Sequence, residues 1–85
     1  MNSPIRTPIP VDEQEQNRCL HNLYVRALRS EHGIPMTKVA SKLNISVKTI
    51  EDRISGELLV RNETLFALQF LRAALDGGER WEDIE

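Results

Sequence analysis

Residues 34–55, IPMTKVASKLNISVKTIEDRIS, decide how this chain folds. Val39, Ala40 and Leu43 recur at i, i+1 and i+4, which places them on one face of a short helix. Pro35 suits the first turn of that helix, where its missing N–H costs nothing. Asn44 follows the last periodic residue and tolerates the left-handed backbone of a tight turn. Ile45 is an apolar plug in the turn, and Ser46 is an N-cap that opens a second helix. The second helix carries Thr49, Ile50 and Ile54 inward and Lys48, Glu51, Asp52 and Ser55 outward. The small Ala40 allows the helices to cross closely, and Ala40, Asn44 and Ile50 form the arrangement that such a crossing needs. The expected unit is two short helices joined by a tight turn, a helix-turn-helix. The plainer alternative is two ordinary helices of a small core.

On the N-terminal side, residues 1–11 (MNSPIRTPIPV) hold three prolines and no periodicity, and read as an extended or disordered arm. Arg6 in that arm is a candidate for reaching a nucleic-acid backbone or minor groove, against the reading of an idle terminus. Asp12-Glu13-Gln14-Glu15 resembles a capping box, so a helix is expected over residues 13–31, with Gly33 closing it. Leu20, Leu23, Tyr24, Ala27 and Leu28 form its expected apolar face. Cys19, His21 and His32 have unrelated spacings and do not make a metal site; both histidines read as surface or boundary residues.

On the C-terminal side, Gly56-Glu57 breaks the second short helix. Leu58, Leu59 and Val60 are expected to tuck against the core, with a strand-like segment as the alternative. Asn62 reads as the cap of a last long helix from residue 63 to 75 or 76, closed by Gly77-Gly78. This helix carries two apolar stripes, Leu68-Leu71-Leu75 and Phe66-Phe70-Ala73. A surface helix of a small monomer needs only one, so the second suggests a two-fold interface built from Leu65, Phe66, Gln69, Phe70 and Ala73. The alternative is that the first helix covers both stripes. Trp81 and Ile84 are expected to form a short turn that packs on the same surface, in the partner or in the same chain.

Eighty-five residues make one small domain over residues 12–85, and with 40% apolar residues and four aromatics the core is modest. The expected fold class is all-α, a compact four- to five-helix domain containing a helix-turn-helix. Cys19 is the single cysteine, so no internal disulfide forms, which suits a reducing cytoplasm. No run suits a membrane span or signal peptide. No nucleophile–base pair, Gly-rich phosphate loop, metal cluster or small-molecule cofactor motif is present, which disfavours an enzyme. The net charge of −2 runs against nucleic-acid binding, but residues 37–61 carry +2 and residues 76–85 carry −4.

The order helix, helix-turn-helix, loop, terminal helix over residues 24–75 resembles the small Cro/Xre-type repressors of phages and plasmids. The match rests on Thr37, Ala40, Leu43, Asn44, Ser46 and Ile50. It departs at Arg53, where that family usually has an apolar residue. A narrower likeness in spacing is to the anti-CRISPR-associated repressors, homodimers that act on inverted repeats; it implies DNA-contacting roles for Lys38 and Lys48. The segment VASKLNISVKTIEDRIS also resembles the DNA-binding end of LuxR-type regulators, but the terminal helix fits the Cro/Xre pattern better. The resemblance implies a homodimeric transcriptional repressor on double-stranded DNA. Ser46, Val47, Lys48, Glu51 and Asp52 would then face the bases. Thr37, Lys38, Lys42, Arg53 and Arg61 would contact phosphates. The competing class is an antitoxin-like or adaptor module that binds protein.

Overall fold

The computed structural model of the chain describes residues 11–84. Of the arm expected over residues 1–11, residues 1–10, Arg6 included, lie outside the described residues, and Val11 belongs to the first helix instead. Four α-helices follow one another: α1 Val11–His32, α2 Met36–Leu43, α3 Val47–Ser55 and α4 Asn62–Asp76, with a 3-10 turn at Trp81–Asp83. There is no strand among the described residues, so residues 58–60 are a loop.

α1 and α4 lie side by side and run parallel. At one end, Asn17 Nδ2 donates to Val60 O (2.9 Å) and to Asn62 Oδ1 (3.2 Å). At the other end, Arg72 pairs with Glu31 (3.2 Å) and His32 with Asp76 (2.7 Å). Parallel neighbours need a return path between them, and α2 and α3 supply it. The core forms where the four helices meet, around Leu28, Val39, Ile50 and Leu68, with Val25, Ile34, Ala40, Leu71, Ala74 and Ile84 beside them. Burying each such large side chain contributes about 1.5–3 kcal/mol.

Three local expectations change. The helical chain is already formed at Val11, so Asp12 stands in the first turn of α1 rather than capping it. There it still complements the positive helix end. Asn62 is the first residue of α4 and Arg61 holds the cap position. The Asn62 side chain is used by Asn17 instead. Of the run Leu58-Leu59-Val60 only Val60 is buried, drawn in where Asn17 grips its carbonyl.

The larger change is the face that α1 buries. Asn17, His21, Val25, Ala27 and Leu28 are buried, whereas Leu20 and Leu23 of the expected face are 37% and 50% exposed. Two of the inward residues are polar, so a count of apolar positions sets the face about a quarter-turn away. His21, expected near the surface, is 1% exposed. Its Nδ1 donates to Asn22 Oδ1 (3.1 Å). His32 does sit at the boundary, half-buried.

Burial holds the His21 imidazole below its ordinary value of 6.5, because desolvation penalises the cation; the Asn22 hydrogen bond opposes this and the nearby Arg53 charge adds to it. The unfolded chain therefore binds a proton on His21 at a higher pH than the folded chain does. Stability is full above pH 6.5 and falls as pH drops through the window between the unfolded and folded values. Urea denaturation across pH 5–7.5 should show this loss, and His21→Leu should remove the His21 contribution to the slope; an unchanged slope in the variant would assign it to other groups.

Candidate functional site

α2 and α3 are held by caps that their own residues supply. Asn44 takes the left-handed conformation (φ 61°, ψ 43°). Its N–H bonds Ser41 O (3.1 Å) and the Ile45 N–H bonds Ala40 O (2.9 Å). Ser46 then caps α3, its Oγ accepting from the Thr49 N–H at 3.1 Å. Ala40, 3% exposed, lies in the common core with Ile50, 1% exposed, and the half-buried Ile45 and Ile54 pack against that core. α3 ends at Gly56 (φ 95°), whose N–H bonds Asp52 O. A Cβ at Gly56 would meet only the flexible end of the Arg18 side chain, which can move aside, so it is the backbone angle that calls for glycine here.

The outer surface of this pair presents Thr37, Lys38, Ser46, Lys48 and Glu51, all exposed. Lys38 stands in the first turn of α2 and Lys48 in the first turn of α3, and neither turn holds an acid. A helix N-terminus carries the positive end of the dipole, so lysine there opposes helix stability by about 0.3–1 kcal/mol. The other two long helices follow the favourable rule, with Asp12 and Glu13 opening α1 and Glu63 in the first turn of α4. Lys48 pairs with Asp52 (3.3 Å) but stays 79% exposed. Its order, cation four residues before the acid, is the weaker one. Lys38 and Lys48 thus each stand exposed at the positive end of a helix, where an anion would be favoured.

The remaining residues expected at this site are placed differently. Val47 and Asp52 are half-buried, Val47 against the core. Lys42 does not face outward with Lys38: its Nζ donates to Trp81 O and Ile84 O. Arg53 lies half-buried where its charge reaches His21, between α3 and α1. Its Nε is buried and has no hydrogen-bond partner among the described residues, and desolvation lowers its pKa. Arg61 is half-buried at the start of α4. Two cations outside the expected set, Arg26 and Arg29, are exposed on α1. With Val25, Met36 and Ile54 they line a cleft of about 220 Å³. Their i, i+3 spacing was the sequence signal, but the misplaced face of α1 hid its direction.

A second surface is apolar. Phe66 is 68% and Phe70 58% exposed, and Gln69 and Ala73 are exposed beside them. α1 thus leaves this stripe of α4 uncovered. Leu65 and Trp81 do not belong to it: Leu65 is buried in the chain's own core and Trp81 packs against Lys42. Leu20 and Leu23 give the neighbouring α1 an exposed apolar stripe of its own.

Among the described residues, Glu31, His32 and Asp76 are close enough to share an ion, with potential ligand atoms within 4.8 Å. Their partners explain them without one, since Glu31 binds Arg72 and His32 binds Asp76 to tie α1 to α4. No described helix is long and apolar enough to cross a membrane. Comparison with models of known protein families, with curated proteins and with solved structures gave no match.

Ser46→Ala removes the side-chain acceptor at the start of α3 and should cost about 1 kcal/mol of stability, measured by urea denaturation. A variant as stable as the parent would show that the cap does not hold this helix.

Proposed function

We propose that the chain is a sequence-specific DNA-binding protein of the Cro/Xre-like kind, a homodimer that represses transcription by occupying an inverted repeat. The observation that carries this reading is the pair of short helices whose acid-free first turns expose Lys38 and Lys48. Lysines at helix starts oppose the helix dipole, which the weak Lys48–Asp52 pair offsets only in part, whereas a phosphate or base edge in front of them is attracted by both the lysine and the dipole.

In this reading α2 and α3 form a helix-turn-helix and α3 enters the major groove by its N-terminus. Lys48 donates to guanine O6 and N7, and Glu51 accepts from cytosine N4. The half-buried Val47 offers one edge to a thymine methyl. Thr37 and Lys38, at the positive end of α2, grip phosphates and set the register. Arg26, Arg29 and Arg61 add charge at the margins. The apolar stripes of α1 and α4 meet their two-fold copies, since exposed aromatic patches on a small domain mark interaction surfaces. The half-sites then lie about 34 Å apart. An adaptor that binds protein is the second reading, favoured by the net charge of −2; the lysines at both helix starts favour DNA.

The reading is tested by mobility shift with DNA upstream of the chain's own gene, and with duplexes selected from a random pool, at two salt concentrations. Preference for an inverted repeat and loss of affinity with salt support it; weak binding equal on every duplex counts against it. On the selected site, Lys48→Ala should cost about 1–3 kcal/mol of binding and relax one base position. Uniform loss on all sequences would make Lys48 a phosphate contact. Phe70→Asp should split the dimer, read by light scattering, and weaken operator binding; a variant that stays dimeric places the interface elsewhere.

A further inference from the structure

After α4, the chain turns at Gly77 and Gly78, and residues 80–84 come to lie against α2. Lys42 anchors this strap. Its Nζ donates to Trp81 O (2.9 Å) and Ile84 O (2.6 Å). The same ammonium stands 5.0 Å from the centre of the Trp81 ring, a cation–π contact. Beyond it, Ile84 is 3% exposed and joins the core. The other side chains of the strap are exposed: the acids Glu82 and Asp83, and Arg80, which pairs with Glu82 (3.7 Å) and leaves the strap with one net negative charge. Glu82 lines an open cleft together with Lys38, Ser41 and Lys42.

This arrangement takes a cation out of service. Lys42 lies one turn after Lys38 on α2, and its three donors suit phosphate as well as they suit carbonyls. The apolar anchor Ile84 would hold the strap without a charge beneath it. The half-buried ammonium is held by two backbone carbonyls and a ring, all of them on the strap, so these partners leave together when the strap is away and its donors turn to other acceptors.

We propose that the strap is an autoinhibitory cover: docked, it takes Lys42 and brings Glu82 to the cleft that Lys38 also lines; released, it leaves Lys42 to the DNA backbone. The proposal rests on the DNA-binding reading above and adds to it a conformational control of affinity. The acidic charge of the strap then works twice, screening α2 when docked and leaving with the strap when it opens.

The test compares the full chain with a chain ending at Gly78, using a labelled mixed-sequence DNA duplex over a salt series. The shortened chain should bind about tenfold tighter, with a log K against log salt slope steeper by about one, the signature of one added phosphate contact. Lys42→Gln in the shortened chain should remove both gains. Because Ile84 is part of the core, circular dichroism first checks that the shortened chain folds; Ile84→Ser, which loosens the strap and keeps its acids, is the second variant and should also strengthen binding. Trp81 is the single tryptophan, so its emission in the full chain should move to the red when DNA binds. A gain that survives Lys42→Gln overturns the proposal and assigns the effect to lost acidic charge. Equal binding by all chains, or Trp81 emission unmoved by bound DNA, overturns it while leaving DNA binding intact. Failure of every chain to bind DNA overturns the DNA-binding reading and the cover with it.

Discussion

The parallel pairing of α1 with α4 is the constraint from which the remaining architecture follows. Two antiparallel helices can be joined by a short loop, but parallel ones cannot, because the chain must travel back along their length. Here α2, α3 and the loop after them make that journey, and they fill the space over the seam as they go. The seam is pinned at both ends by polar contacts, Asn17 on the Val60 carbonyl and on Asn62 at one, and Glu31–Arg72 with His32–Asp76 at the other. The exposed ion pairs contribute little energy each. The buried amide of Asn17 matters more, because leaving the Val60 carbonyl unpaired in the interior would cost about 1–3 kcal/mol.

That frame divides the surface. The helices of the return path turn their starts outward, and these starts are where lysine replaces the acids that helix energetics prefer. The long helices keep acids at their starts and expose apolar stripes instead, Leu20 and Leu23 on α1 and Phe66 and Phe70 on α4. A net charge of −2 hides this division, because the acids after α4 outweigh the cations of the return path. Charge matters here by position. The strap brings the two populations together, since Lys42 holds the carbonyls of Trp81 and Ile84 and Glu82 lines the same open cleft over α2.

Buried polarity forms a second theme. His21 sits neutral in the α1 seam with the Arg53 guanidinium near it, and Arg53 Nε lacks a hydrogen-bond partner among the described residues. Burial first, and the Arg53 charge after it, both favour the uncharged imidazole. The position at which this chain departs from the Cro/Xre pattern, Arg53, is thus the position whose charge reaches the buried histidine.

The sequence by itself determined the elements whose signals are local. Asn44 in the left-handed turn, Ser46 as a cap, Gly33 and Gly56 as helix ends and Ala40 as a buried small residue all depend on backbone angles and neighbours a few residues away. Such signals are legible from residue type. It also separated the stripe Phe66-Phe70-Ala73 from the core stripe of α4, because 3.6-residue periodicity is a property of one helix alone. Which way α1 turns was decided only by tertiary structure: its inward face includes Asn17 and His21, and polar residues are bought into a core by partners, the Val60 carbonyl and Asn22, that no periodicity displays. The same holds for Lys42 and Trp81. A free cation and an interface aromatic are what their residue types suggest; in the folded chain the two meet each other across 39 residues of chain. Interactions that distant are set by where α4 ends relative to α2, which is a consequence of packing and leaves no mark in the local sequence.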